Sequence, residues 1–265
     1  MSALNRALAV AAVTFGASLI GMALQWAVPA DMLTASKASV GAMVGLVTLV
    51  LALVLGLLVF TAFSVFTTQR DEAYSLGPIV AEVDLLLERY GPEAAGGRAG
   101  LKAALERSRL RFFGDAEHGP RPFTFEEMRW IYQSQSGFFD SLNPPTEAQR
   151  NMAATARDQV RKLADTQMLM ARQLASPFPP HVLTVVLCWA AALFLGNGLV
   201  APINPLTIIA HVVGAIAVGT AIFLILELSS PYTGLIRLSP AGIDRVLEIL
   251  GDADRKRAAT KPESP

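Results

Sequence analysis

Four stretches of the chain are uncharged and mostly apolar over lengths that exceed one helix face or one buried strand: residues 7–28, 40–66, 182–200 and 206–228. No Asp, Glu, Lys or Arg occurs anywhere in residues 7–30, 38–69 or 173–226. About 20 helical residues, rising about 1.5 Å each, cross the hydrocarbon of a bilayer. The pattern therefore predicts four membrane-spanning helices. Prolines punctuate them, with Pro29 after the first, Pro179-Pro180 and Pro202 around the third, and Pro205 and Pro231 around the fourth. The second stretch is longer than a crossing needs, so it tilts or runs on past the bilayer as a helix. The first also resembles a signal peptide, with Arg6 before it and the small-residue step Val28-Pro29-Ala30 after it. Its apolar length exceeds the roughly 7–15 residues of a signal core, which favours a retained span.

Between the second and third stretches the pattern changes. Residues 67–181 are rich in Ala, Leu, Glu, Arg and Gln and lack strand-like alternation, which predicts a helical domain. One helix continues from the second span to about Tyr90, with a bend expected at Gly77-Pro78 and a stop at Gly91-Pro92. A second covers about 94–113, followed by a loop over 114–122. A third covers about 124–142, where Thr124 and Glu127 have the spacing of a capping box. A fourth covers about 146–175. Its Met152, Ala156, Val160, Leu163, Met170 and Leu174 recur at four- and three-residue steps, with Gln167 in the gap. That stripe needs a helical partner, in the same subunit or in a neighbour. A short amphipathic helix, about 240–250, follows the last span, and residues 252–265 read as a disordered tail.

The expected organisation is thus a membrane hairpin (1–66), a cytoplasmic helical domain (67–181), a second hairpin (182–228) and a terminal segment (229–265). The fold class is all-α and polytopic. Charged residues are 17% of the chain, below the roughly one quarter of soluble domains, because the deficit lies in the four stretches. With 22 basic and 22 acidic residues there is no net charge to draw nucleic acid. A single cysteine, Cys188, and three scattered histidines leave no disulfide framework and no metal site. No cofactor is expected. Of the 22 basic residues, only Lys37 falls on the side of the first short loop. The positive-inside rule then puts both termini and the middle domain in the cytoplasm.

Candidate chemistry is sparse. A Gly-rich phosphate loop, a nucleophile elbow and a His pair one turn apart are all absent from the sequence, and an enzyme is not expected. The acidic pairs Glu126-Glu127 and Glu82/Asp84 suit solvated helix faces. His211, five residues into the fourth span, is either an intramembrane relay or a ring at interfacial depth. Gly196-Asn197-Gly198 either breaks the third span, exposing amides to an ion, or packs closely beside an interfacial Asn197. Gly16, Gly21, Gly41 and Gly45 suit close helix approach. Leu49, Leu53 and Leu57 share one face of the second span beside Gly56, with Phe60 beyond. Rings of such residues around an oligomer axis form a dewetting gate, and the same stripe also suits lipid or packing. Glu227, Pro231, Tyr232, Gly234 and Arg237 form the most specific stretch. There an acidic residue ends the span, a turn follows, and Tyr232 suits an interfacial anchor.

Residues 221–239 closely resemble the C-terminal hallmark of the bacterial bestrophin-like membrane protein family, A-I-F-L-I-L-E-L-x-x-P-[FY]-x-G-L-I-R-[IV]-S. Residues 55–72 and 87–95, the latter with Tyr90-Gly91-Pro92-Glu93-Ala94, resemble it too. The resemblance spans nearly the whole chain, with the spans in the same order. It implies kinship with bestrophins, pentameric anion channels with four membrane helices per subunit and an apolar neck on the second. By that resemblance the Val54-Leu55-Gly56-Leu57 stretch looks like the neck, which makes Leu49, Leu53 and Leu57 the matching candidates, with Gly56 and Phe60 as further pore-lining candidates. The expected function is an oligomeric chloride or other anion channel of a bacterial inner membrane. Thr67-Thr68-Gln69-Arg70 replaces the aromatic-basic segment that follows the bestrophin pore helix, and the calcium clasp of animal bestrophins has no counterpart. The alternative is a membrane-anchored interaction or regulatory protein working through its cytoplasmic helices. The partners expected are the lipid bilayer, further copies of the chain and inorganic anions.

Overall fold

The computed structural model describes residues 2–114, 123–174 and 180–260, with the side chains of 135, 136, 174, 180 and 253–260 not described. The described residues form helices and no strand. These are α1 (Ala3–Leu24), α2 (Ala30–Tyr90), a 3-10 turn (Pro92–Ala94), α3 (Ala95–Phe113), α4 (Phe125–Ser141), α5 (Glu147–Leu174), α6 (Pro180–Val200), α7 (Pro205–Leu228) and α8 (Ala241–Thr260). Four of them, α1, α2, α6 and α7, are long and apolar enough to cross a membrane. The chain divides into two compact units, Met1–Phe66 with Phe178–Ser230, and Thr67–Pro177 with Pro231–Pro265.

Local chemistry sets the helix ends. Ser2 caps α1, its hydroxyl accepting from the Asn5 amide at 3.3 Å. Asn204 accepts from the Thr207 amide at 2.8 Å, and Pro205 opens α7 where its missing N–H is harmless. Thr124 and Glu127 close a reciprocal capping box on α4, at 3.2 and 2.9 Å, as their spacing predicts. Gly91 ends α2 with φ +127°, a conformation in which a Cβ is strained.

In the first unit, α1 packs against α6 and α7 through backbone-to-backbone approach. A Cβ on Gly198 would sit 2.2 Å from the Ser18 carbonyl oxygen, and one on Gly21 would sit 2.1 Å from that of Leu195. The approach at Gly219 of α7 is looser, with a Cβ there 3.0 Å from the Ala7 carbonyl oxygen and from the Ala11 Cβ. Lipid chains are as apolar as these helices, so dispersion between closely fitted surfaces holds them together. The glycine expectations divide here. Gly21 is a contact glycine, whereas Gly16, Gly41, Gly45 and Gly56 face open space within the protomer. The remaining core joins Leu51 and Ala62 of α2 to Val186, Ala190 and Phe194 of α6 and to Ile222 and Ile225 of α7.

The part of α2 in the first unit, residues 30–66, is about 55 Å long at about 1.5 Å per residue, more than one hydrocarbon thickness. The helix begins ten residues before the expected span and continues without interruption through Gly77-Pro78. In the second unit its residues from 67 onward pack with α3, α5 and α8. Leu76, Val80, Val83, Leu87, Leu105, Phe112, Leu163 and Met170 are buried there, each large side chain contributing about 1.5–3 kcal/mol. The α5 stripe is buried from Ala156 to Met170 as its spacing predicts, with Leu163 at 1% exposure, while Met152 at its start is half-buried; the Leu174 side chain lies outside the described residues. Its partners are helices of the same subunit. Gln167 donates to Ser108 of α3 at 2.8 Å, and Gln149 donates to the Tyr90 carbonyl at 3.0 Å.

Two expectations for this unit change. Asp84 is not on a solvated face; its carboxylate takes two bonds from Arg98, at 2.5 and 2.7 Å, with both side chains largely buried. The terminal segment is not a short helix followed by a tail from residue 252, since α8 runs to Thr260. It belongs to the unit through buried Ile243 and Leu250, through Val246 against Gly77, and through the Arg109–Asp244 ion pair. Residues 115–122, most of the expected loop, and 261–265, the end of the expected tail, lie outside the described residues.

Candidate functional site

In the first unit α2 presents two apolar faces. Val44, Val47, Leu51, Val54, Leu58 and Ala62, at three- and four-residue steps, lie against the core. The opposite face carries Leu49, Leu53, Leu57 and Phe60, which are 72, 75, 62 and 68% exposed. Met43, Leu46 and Phe63 prolong it. From 43 to 63 this ribbon is about 30 Å long, one hydrocarbon thickness. Gly56 interrupts it with open space where a Cβ would stand. Thr48 and Thr61 turn their hydroxyls back to the Val44 and Leu57 carbonyls, at 2.7 and 2.8 Å, and so add no unpaired polar group. Among the described residues of the first unit nothing covers this apolar ribbon of bilayer length.

The other intramembrane candidates have local partners. His211 Nδ1 lies 2.7 Å from the Thr207 carbonyl, one turn back, and therefore carries the proton; its ring stands edge-on to Phe194 with centroids 6.2 Å apart. Asn197 is half-buried inside a continuous helix, with its carbonyl accepting from the Ala201 amide at 2.9 Å. Of the two readings of Gly196-Asn197-Gly198, close packing holds and the break does not, because α6 runs on to Val200 and α1 occupies the space beside Gly198. The amides there are spent on helix bonds, so no backbone donors are left for an ion.

The motif after the last span is built inside the protein. Glu227 is buried at the end of α7, and its carbonyl accepts from the Ser230 amide at 3.1 Å. In the second unit, Pro231 is buried and its carbonyl accepts from the Leu238 amide at 2.7 Å, closing the loop that carries Gly234 and exposed Arg237. Tyr232 is no interfacial anchor. It is buried against Phe112 and Phe113 of α3, with ring centroids 5.9 and 5.4 Å apart.

Several residues with structural consequence escaped the sequence pattern. Gln25 Nε2 donates to the carbonyls of Gly198 and Ala201, both at 2.7 Å, and so satisfies the end of α6. Its signal was a lone amide closing an apolar run. In the second unit Glu72, beyond the apolar part of α2, accepts from Gln173 Nε2 at 3.0 Å. Burial raises its pKa, against the opposing pull of that hydrogen bond. Burial also pushes the Tyr232 hydroxyl up strongly, with the charge of Glu72 adding to it. Glu72 Oε2, Tyr232 OH, Gln69 Oε1 and Gln173 Oε1 are buried without a hydrogen-bond partner among the described residues. Nothing in the local pattern hinted at this, since Asp71 beside it is the first acidic residue after the apolar run and is exposed. The described residues hold no cluster of three or more His, Cys, Asp or Glu that would bind a metal.

A search of curated proteins returns no match to this chain, and a search of solved structures likewise returns none. The family model of the Bestrophin-like domain matches residues 11–243, from within α1 through the start of α8. With four helices able to cross a membrane and a match covering most of its length, the chain is a membrane protein of the Bestrophin-like family.

Proposed function

We propose that the protein is an oligomeric anion channel in which α2 surrounds the axis. The observation that carries this reading is the uncovered ribbon Leu49–Leu53–Leu57–Phe60, one hydrocarbon thickness long, on the helix that resembles the bestrophin pore helix. An apolar ribbon repeated around an axis narrows to a constriction that empties of water, and wetting it opens the path. Leu57 stands beside the gap at Gly56, so a small polar residue there removes part of the dewetting barrier. Iodide flux into liposomes of matched protein density is expected to rise for Leu57→Ser over wild type. Flux at the level of empty liposomes for both proteins would overturn the reading, and a monomer by native mass measurement in detergent would transfer support to the interaction-protein alternative.

In this reading the protein lies in a bacterial inner membrane with both termini and the second unit in the cytoplasm. The support is the 21-to-1 partition of basic residues. Cysteines placed at Ala35 and Glu93, in a Cys188→Ala background because Cys188 is exposed, are expected to label from outside at 35 alone. Labelling at 93 alone would reverse the topology.

A further inference from the structure

The second unit contains a cavity of about 480 Å³ between α4 and the surface made by α2, α3 and α5. Its floor is core, with Val83, Leu101 and Leu163 all buried. Packed interiors rarely leave spaces much larger than a water, whereas sites for small molecules begin at about 300 Å³. The deep polar groups are already paired, since Gln167 donates to Ser108 at 2.8 Å and Ser108 donates to the Ala104 carbonyl at 2.9 Å. None of the buried polar atoms lacking a partner belongs to a lining residue. The interior therefore suits a hydrocarbon chain.

The mouth has the opposite character. Arg107 and Arg111 stand one turn apart on α3. The guanidinium of Arg107 lies 4.7 Å from the centre of the Trp130 ring, and that of Arg111 lies 4.0 Å from Phe123. Arg111 is engaged by Glu127 at 2.7 Å. Arg107 donates through Nε to the Ala103 carbonyl at 3.2 Å, and none of the described residues sets a carboxylate against it. Among the described lining residues the charged groups are these two guanidiniums and the Glu127 carboxylate, an excess of one positive charge held by aromatic faces above an apolar interior.

We propose that this cavity binds a single-chain amphiphile with an anionic head, its hydrocarbon between α4 and α5 and its head on Arg107. The ligand class follows from the split between lining and mouth, and it is independent of channel activity. A neutral apolar molecule leaves the Arg107 charge unanswered, and a small free anion leaves the cavity unfilled.

The test uses the full chain in phosphatidylcholine nanodiscs with Trp26→Phe and Trp189→Phe, so that Trp130 is the sole tryptophan. Titration with sodium laurate or dodecyl phosphate is expected to change its emission saturably, and the tighter of the two identifies the head group. Losing a charge-assisted hydrogen bond in Arg107→Ala should weaken the apparent Kd about ten- to a hundredfold. Arg107→Lys should recover part of that, and Arg150→Ala, on the first turn of α5 away from the cavity, should match wild type. Ala104→Phe fills the cavity from α3 and should abolish saturation; should it fail to fold by circular dichroism, the Arg107 series still decides. A response that only rises linearly, as simple partitioning would, overturns the proposal. So does an unchanged Kd in Arg107→Ala, equal binding of dodecyltrimethylammonium, or an equal response to inorganic phosphate alone.

Discussion

Adding one methyl group at Gly198 should separate α1 from α6. The Cβ of Gly198→Ala would lie 2.2 Å from the Ser18 carbonyl oxygen and 3.2 Å from the Met22 amide nitrogen, both backbone atoms that no rotamer change can move. Relief needs about 1 Å of helix displacement. A gap of about 0.5–1 Å forfeits a quarter to a half of each dispersion well of about 0.1–0.2 kcal/mol. Over on the order of fifty atom pairs at such a helix contact, the loss is about 1–5 kcal/mol. The shift also lengthens the two Gln25 bonds to Gly198 and Ala201, which fix the same end of the helix pair. A destabilisation of about 2–4 kcal/mol is therefore expected, near the upper range for overpacked interiors. The assay is unfolding in mixed micelles titrated with sodium dodecyl sulfate, followed by circular dichroism. Three companions calibrate it. Gly21→Ala meets the Leu195 carbonyl at 2.1 Å and should match Gly198→Ala; Gly196→Ala meets only a Val44 methyl at 2.8 Å and should be milder; Gly16→Ala meets nothing and should be neutral. If Gly198→Ala unfolds like Gly16→Ala, the close-packed reading of α1 and α6 is wrong.

Two further outcomes concern the second unit. Asp84→Asn or Arg98→Met should destabilise it by about 3–5 kcal/mol, because each leaves a largely buried partner charge unanswered, whereas replacing both with apolar residues should cost much less; thermal melts of the three variants check this. The bond from Arg111, first, and that from the Thr124 amide hold Glu127 at a pKa of about 2 against the ordinary 4.5. A depressed folded pKa gives stability that is present above the unfolded value and lost as pH falls through the folded one. Hydrogen-exchange protection of α4 should therefore decline between about pH 4.5 and 2, and a Glu127→Gln variant that follows the same decline would refute the assignment.

The sequence alone determined the four membrane helices, since charge-free runs of bilayer length have no other stable use. It also determined the α5 stripe and the α4 capping box, because both rest on residues within a turn or two of each other. The family was legible for the same reason, in the contiguous run 221–239. Tertiary structure decided everything that depends on which face meets which neighbour. Gly198 and Gly16 are alike in sequence, yet one receives the Ser18 carbonyl and the other nothing. Tyr232 follows an apolar helix as an interfacial anchor would, but Phe112 and Phe113, more than a hundred residues earlier, bury it. Asp84 reads as solvated until Arg98, fourteen residues on and across a turn, folds back onto it. The cavity beneath Arg107 is the extreme case, because it is enclosed by four helices and no local pattern encodes the space between them.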